Sequence, residues 1–450
     1  MKKSKGISNQ MDMLNESIFD KILLFALPLA ISSILQQLFN SVDVAVVGRF
    51  ASSEALAAVG SNSSVISLLI NLFVGISVGA NVVIANYIGQ GKTEKIQDAV
   101  HTVMIVSLIS GVFLLVLGLM IARPILEIMG TPENVIDLAV LYLHILGMPF
   151  LMIYNFGAAV LRSKGDTKRP LYCLIISGVI NACLNLLFVI VFKLSVAGVA
   201  IATVIADGVS AVLIIYFLMN EEETIRLRLN KLKIKKSELI KVIKIGVPAG
   251  LQGVVFSVSN VCIQTAINSF GSDAVAGSAT GLNFEYFTYF TISAFVQAAV
   301  TFTSQNYGAR NFKRCKKIFV YSMISSVVIC GLMSAIFVVW RDFFAEIYTT
   351  DKAVLEYASI RMVHVLLFEC LASSYEIGGA ALRGLGYSMT PAVLTVLGSC
   401  VFRLIWIYTV FNKFRSFEML MNVYPVSWVI TGIAVLIAYA IVRKKLFKET

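Results

Sequence analysis

The sequence predicts an all-α integral membrane protein, with about twelve transmembrane helices in two parallel six-helix lobes around a central cavity. Three observations predict it. The 450-residue chain is 58% hydrophobic and only 14% charged, with a mean hydropathy of +0.84; soluble domains carry about a quarter charged residues. Apolar runs long enough to cross a bilayer recur along the whole chain. The two halves also echo one another at a spacing of about 220 residues.

Residues 1–20, "MKKSKGISNQMDMLNESIFD", form a polar tail with no early apolar core, so no cleaved signal peptide is expected. Runs at 21–47, 55–86, 98–122, 134–160, 170–192 and 196–219 make the first lobe, 21–219. A charged linker at 220–240 comes next. Runs at 240–268, 273–304, 317–340, 354–380, 390–412 and 419–442 make the second lobe, 241–442, and 443–450 close the chain as a tail. Lys and Arg concentrate in the N-terminus, the even-numbered connections and the C-terminus, above all in "KLKIKKSELIK" and "RKKLFK". That asymmetry places both termini in the cytoplasm of a cell in whose plasma or inner membrane the protein sits. The net charge of +11 is therefore a topology signal and not a nucleic-acid surface.

The repeat is legible residue by residue. "KILLFALP" ending at Pro28 matches "KVIKIGVP" ending at Pro248, and Asn40 then aligns with Asn260. "SEALAAVG" from Ser53 resembles "SDAVAGSA" from Ser272, and "NYIGQGK" ending at Lys92 resembles "QNYGARN" ending at Asn311. The clearest pair is "LRSKGDTKRP" from Leu161 with "LRGLGYSMTP" from Leu382. Six spans return the chain to the side where it began, so the halves share one orientation and the repeat is parallel.

Polar residues inside these runs are the candidate functional groups. Ser32, Gln36, Asn40 and Asp43 in the first run lie within an arc of about 80° on one helix face. Pro28 removes a backbone hydrogen bond below that stripe and can kink the helix. Intramembrane carboxylates mark ion or proton pathways; otherwise Asp43 is solvated at the end of its span. Ser177, Asn181 and Asn185 repeat in the fifth run, either as cation or proton partners or as interhelical hydrogen bonds. Asp207 lies mid-span in the sixth, one turn after Thr203.

In the second half Glu285 stands among Phe284, Tyr286, Phe287 and Tyr289, either as a receptor for a lipophilic cation or as a chance neighbour of lipid-facing aromatics. Glu369, Ser373 and Glu376 form a further stripe, and Arg403 is expected to pair with one of these acids, since an isolated guanidinium is costly there. His101, His144 and His364 lack ligand spacing and read as interfacial or packing residues. The seven cysteines lack CxxC spacing, so neither a zinc site nor a disulfide framework is indicated.

Enzyme signatures are missing: there is no P-loop, HExxH or GxSxG motif, and no soluble domain to house catalysis. No cofactor is expected. Transport would be driven by an ion gradient or by the substrate's own.

Across its whole length the sequence resembles the MATE (multidrug and toxic compound extrusion) transporters. The matching stretches are "LPLAISSILQQLFNSVDVAVVGRF", "ALAAVG" at 55–60, "GAAVLRSKGDTKRP" at 157–170 and "GGAALRGLGYSMTP" at 378–391. The resemblance implies efflux of small amphiphilic, cationic compounds in exchange for H⁺ or Na⁺, by alternating access between two lobes of a membrane-embedded monomer. It implies that Asp43 and Asn181 couple the ion, with transient Na⁺ at Asp43, and that Pro28 is a hinge. Where the family often has Asp one turn after the fifth-span Asn, this chain has Asn185, and Asp207 is a candidate replacement charge. Gln36, Asn40, Glu285, Tyr289, Glu369, Glu376 and Arg403 would line the substrate cavity. The alternatives are a lipid-linked oligosaccharide flippase of the same superfamily, disfavoured because acids outnumber deep cations, and a channel or receptor, disfavoured by the repeat.

Overall fold

A computed structural model describes residues 11–446 except 129, 130, 132, 146 and 223, and, in the second helix, omits the side chains at 53, 56, 57, 60–65 and 68. Residues 1–10 and 447–450 of the two tails, and part of the "ALAAVG" stretch, therefore lie outside the described residues. The described secondary structure is helical. In order it runs α1 (Ile18–Phe50), α2 (Ser53–Gln90), α3 (Thr93–Ile128), α4 (Glu133–His144), α5 (Met148–Ser163), α6 (Lys168–Leu186) continuing as a π turn (Leu187–Val191), and α7 (Ser195–Met219). Then come α8 (Lys236–Asn268), α9 (Ser272–Gly308), α10 (Phe312–Val339), α11 (Arg341–Glu346), α12 (Lys352–His364), a 3₁₀ stretch (Leu366–Leu371) and α13 (Ala372–Gly384). The last rods are α14 (Met389–Thr395), α15 (Phe402–Trp406), α16 (Phe417–Met421) and α17 (Val423–Leu446), with π turns at Val396–Val401 and Ile407–Phe411 on either side of α15.

Among the described residues nine helical stretches are long and apolar enough to span a membrane, and a tenth is the α4–α5 pair, bent by 52°. Gly147 and Pro149 explain that bend, because proline removes an amide donor and crowds the residue before it. Two further rods bring the number to the twelve read from sequence. One is α9, whose polar Thr280, Glu285, Thr288, Thr301, Ser304, Gln305 and Asn306 lower its hydropathy but are buried by protein. The other is α12 with α13, interrupted by the 3₁₀ stretch that carries Glu369.

The chain divides into two compact units. One holds Ile31–Gly250 with the described residues ahead of Glu16; the other holds Glu16–Ala30 and everything from Leu251. α1 and α8 each pass from one unit to the other a few residues after an internal proline, Pro28 and Pro248.

Packing within each unit is inside-out relative to a soluble protein. On α3, Ser107, Ser110, Gly111 and Gly118 are buried while Leu108, Ile109, Val112, Phe113 and Met120 are exposed. On α10, Ser322, Ser325, Ser326 and Ser334 turn inward and Ile324, Val328, Leu332 and Ile336 outward. Lipid tails solvate the large apolar chains, so small residues are freed to bring backbones together. In the first unit α2 and the start of α8 cross at Gly75, Gly79, Gly246 and Gly250, where a Cβ on Gly75 would fall 2.1 Å from the Gly250 nitrogen.

The linker is tied to the first unit. His101 Nδ1 donates to the Gln97 carbonyl at 2.6 Å, and its Nε2 accepts from the Arg228 amide at 3.1 Å. The Thr102 hydroxyl accepts from the Lys235 amide at 3.0 Å. His101, read from sequence as an interfacial or packing residue, is thus an anchor for the linker; His364 meets Asn422 Oδ1 at 2.8 Å in the second unit, and His144 is exposed.

"LRSKGDTKRP" forms a buried ionic knot at the foot of α5–α7. Lys164 donates to Glu221 at 2.8 Å and Glu222 at 3.0 Å, while Arg169 pairs with Asp166 and Glu221. Burial pushes the Glu221 carboxyl up, but hydrogen bonds and charge from Lys164 and Arg169 outweigh it and hold the carboxyl below its usual range. A depressed folded-state value stabilises the protein above the ordinary glutamate range, and that stabilisation is lost as pH falls through it. Glu221→Gln is therefore expected to cost about 2 kcal/mol at pH 7. The gap from wild type should close below about pH 4, as read by unfolding midpoints in detergent across pH; a gap that persists at low pH would refute the assignment.

Candidate functional site

The first unit gathers the polar residues of the first and fifth spans. Asp43 is buried, 7% exposed, and its carboxylate accepts a hydrogen bond from Asn185 Nδ2. The same amide nitrogen donates to Asn181 Oδ1 at 3.1 Å, and Asn181 Nδ2 donates to the Thr203 hydroxyl at 3.3 Å. Thr203 in turn donates to the Val199 carbonyl at 3.0 Å. The chain Asp43–Asn185–Asn181–Thr203 thus joins α1, α6 and α7. One acceptor in it is left over: Asn185 Oδ1 is buried and has no hydrogen-bond partner among the described residues. Such an orphan costs about 1–3 kcal/mol, and it lies beside a carboxylate.

Local sequence explains the approach of these helices. Asn181 and Asn185 are one turn apart on the buried face of α6, just before the π turn at Leu187. Gly178, one turn earlier, leaves room for the Phe39 ring of α1, which a Cβ there would meet at 1.9 Å. Asp207, one turn beyond Thr203, is half-buried and within Coulombic reach of Asp43; among the described residues its carboxylate makes no hydrogen bond. Tyr142 of α4 is buried within the fields of both Asp43 and Asp207 and reaches toward Thr203. Sequence reading missed Tyr142, since a lone tyrosine inside an apolar run carries no spacing signal of its own.

The stripe on α1 does not act as one surface. Asp43 turns into the unit, whereas Gln36 and Asn40 are exposed and take no part in the network. Pro28 is buried, and α1 runs through it as a continuous helix.

In the second unit the charges are arranged otherwise than the sequence suggested. Glu285 is not free to receive a cation: Arg361 donates to both its oxygens, from Nε at 2.6 Å and Nη2 at 2.9 Å, while Arg361 Nη1 donates to the Ser278 hydroxyl at 2.6 Å. The expectation that Arg403 neutralises one of the acids is corrected accordingly. Arg403 instead donates from Nε to the Ser427 hydroxyl at 3.1 Å and lies over the ring of Tyr424. Arg361 could have been found, because it lies inside the apolar run 354–380 and needs a partner at that depth. Glu369 accepts from the Thr288 hydroxyl, and Ser373 meets Ser326 at 2.8 Å. Glu376 is half-buried without a hydrogen bond among the described residues, and Tyr289 is exposed.

Comparisons with known proteins agree with this architecture. The MatE family model matches twice, over residues 28–187 and 248–409, which places one copy on each half of the repeat, starting at Pro28 and Pro248. The chain is 30% identical over 395 residues to the probable multidrug resistance protein YoeA of Bacillus subtilis, covering 84% of each chain. It is 24% identical to the probable multidrug resistance protein NorM of Thermotoga maritima, over 85% of this chain and 84% of that one. Its fold superimposes with a TM-score of 0.91, at 21% identity and full coverage of both chains, on an outward-facing multidrug resistance MATE family transporter of the MOP superfamily. With its helical membrane fold, its duplicated halves and these relatives, the chain belongs to the MATE family of multidrug efflux transporters.

Proposed function

We propose that the protein is a secondary antiporter that exports small amphiphilic cations in exchange for H⁺ or Na⁺ entering from outside, with Asp43 as the coupling carboxylate. The observation that carries this reading is the orphaned Asn185 Oδ1 beside the buried carboxylate of Asp43. A proton on Asp43 can donate to that oxygen, and Na⁺ can be ligated by it together with the carboxylate and Asn181. Either event satisfies the orphan and cancels a buried charge. An ion that binds one conformation better than the other shifts the balance between them, and about 5 kcal/mol of differential binding takes the protein from mostly one to mostly the other.

In this reading Asp207 supplies the second charge that the fifth span lacks, and Glu376 and Tyr289 meet the cationic cargo. Both termini are cytoplasmic, the protein works as a monomer, and the site is exposed alternately to either side of the membrane.

The test is efflux of a fluorescent lipophilic cation from proteoliposomes under a Na⁺ gradient and, separately, a pH gradient. Efflux driven by one of them identifies the coupling ion; efflux under neither would sink the reading. Asp207→Asn is expected to raise the ion concentration that half-saturates efflux by about tenfold. An unchanged value would remove Asp207 from the coupling.

A further inference from the structure

We propose that Arg403 is the recognition point for the carboxylate of an amphiphilic aromatic acid, so that the second unit holds an organic-anion site in addition to the coupling-ion site proposed at Asp43 in the first. As a statement about cargo it rests on the transport reading; as a statement about binding it stands alone.

Arg403 is 2% exposed, yet no carboxylate lies within ion-pair distance of it among the described residues. A buried guanidinium without a counter-ion is expensive, and Arg361 of the same unit shows how one is satisfied, by Glu285 and Ser278. Arg383 donates to Gln252 Oε1 at 2.6 Å, and its Nε has no hydrogen-bond partner among the described residues. Of the acids in this unit, Glu285 is committed to Arg361 and Glu369 to the Thr288 hydroxyl, and Glu376 makes no ion pair among the described residues. Among the described residues Arg403 has one hydrogen bond, from Nε to Ser427. Its two terminal nitrogens have no hydrogen-bond partner among the described residues. These two nitrogens form the fork that takes a carboxylate in bidentate fashion.

The surroundings specify the rest of the ligand. The guanidinium carbon lies 4.6 Å from the Tyr424 ring centroid and 5.7 Å from that of Phe256. Cation–π contact with these rings orients the guanidinium plane, and they offer an aromatic wall beside the free fork. π-helical turns bracket the five-residue α15 on both sides. Each π turn inserts an extra residue and so rotates the next stretch of helix by about 100°, and such turns gather at functional sites.

The internal repeat gives the second, independent argument. Pro170 and Pro391 are equivalent, an offset of 221, so Asn181 maps to position 402 and, after the residue inserted by the first π turn, to Arg403. With the inserted residue carried through, Thr203 maps to Pro425, the neighbour of Tyr424, over whose ring Arg403 lies. The first spans align at an offset of 220, which puts the buried Ile263 where Asp43 stands. The second unit has thus lost the acid and gained a base at the equivalent place, and a site so changed favours anions.

The experiment measures equilibrium binding of 2-naphthoate, 2-naphthamide and 2-naphthylmethyltrimethylammonium to the purified protein in detergent. Naphthoate should bind saturably and at least about tenfold tighter than the amide. Arg403→Gln should erase that preference, and Arg403→Lys should keep part of it. Naphthoate should also protect Arg403 from phenylglyoxal, a readout on the wild type that holds if the variants do not fold. A wild type that binds naphthoate no better than the amide, a preference that survives in Arg403→Gln, or no protection at Arg403 would each overturn the proposal. Naphthoate binding without gradient-driven cation efflux would overturn the antiporter reading and leave this one; efflux without naphthoate binding would do the reverse.

Discussion

Asp43→Asn is expected to abolish gradient-driven efflux, by at least about 100-fold, in a protein that still folds. The substitution is nearly isosteric, and the carboxamide oxygen can accept from Asn185 Nδ2 as the carboxylate does. It removes only the charge whose neutralisation is proposed to move the conformational equilibrium. Two readouts separate this from a structural loss. The unfolding midpoint in detergent should stay at or above that of wild type, because an uncompensated buried charge has gone. Downhill exchange of the cation, with no ion gradient, should persist. Gradient-driven efflux that survives in Asp43→Asn would sink the assignment, and a collapsed midpoint would make Asp43 a structural residue instead.

The second large effect concerns stability. Glu285→Gln should destabilise the second unit by about 3–5 kcal/mol, since it leaves the guanidinium of Arg361, only 3% exposed, without its counter-ion. Arg361→Met alone should cost a comparable amount by stranding Glu285. The pair Glu285→Gln with Arg361→Met should recover part of the loss, because neither site then carries a desolvated ion, although the new amide is left without its partner. Expression level and unfolding midpoint of the four proteins complete the cycle. Single variants as stable as wild type would show that water reaches this pair and that the charges are solvated, not paired.

The functional residues were legible to different depths. Asp43, Asn181 and Asn185 were visible because spacing along one helix places polar atoms on one face, and a carboxylate in an apolar run needs a reason. Gln36 and Asn40 share that spacing with Asp43 and yet stay outside the network, because helical periodicity fixes an arc and not which part of the arc another helix covers. Glu285 stood out among aromatics and invited a cation-binding role, but its charge is taken by Arg361, 76 residues away. α9 was readable as a span from its apolar run at 273–304, although its many polar residues, buried by protein, keep it below the hydropathy of most other rods. The Arg403 position is harder still. Its equivalence to Asn181 depends on a one-residue π insertion that no spacing rule predicts.

The sequence by itself determined the class of protein, its helical rods, their duplication and the family, because hydropathy and repeats are properties of contiguous segments. The tertiary structure alone decided which charge meets which partner. Asp43 and Asn185 are 142 residues apart, and a hydrogen bond at that separation depends on how α1 and α6 pack. Inside an apolar unit, where water cannot screen or satisfy a polar group, that pairing separates a structural ion pair, as at Glu285, from a charge left available, as at Arg403.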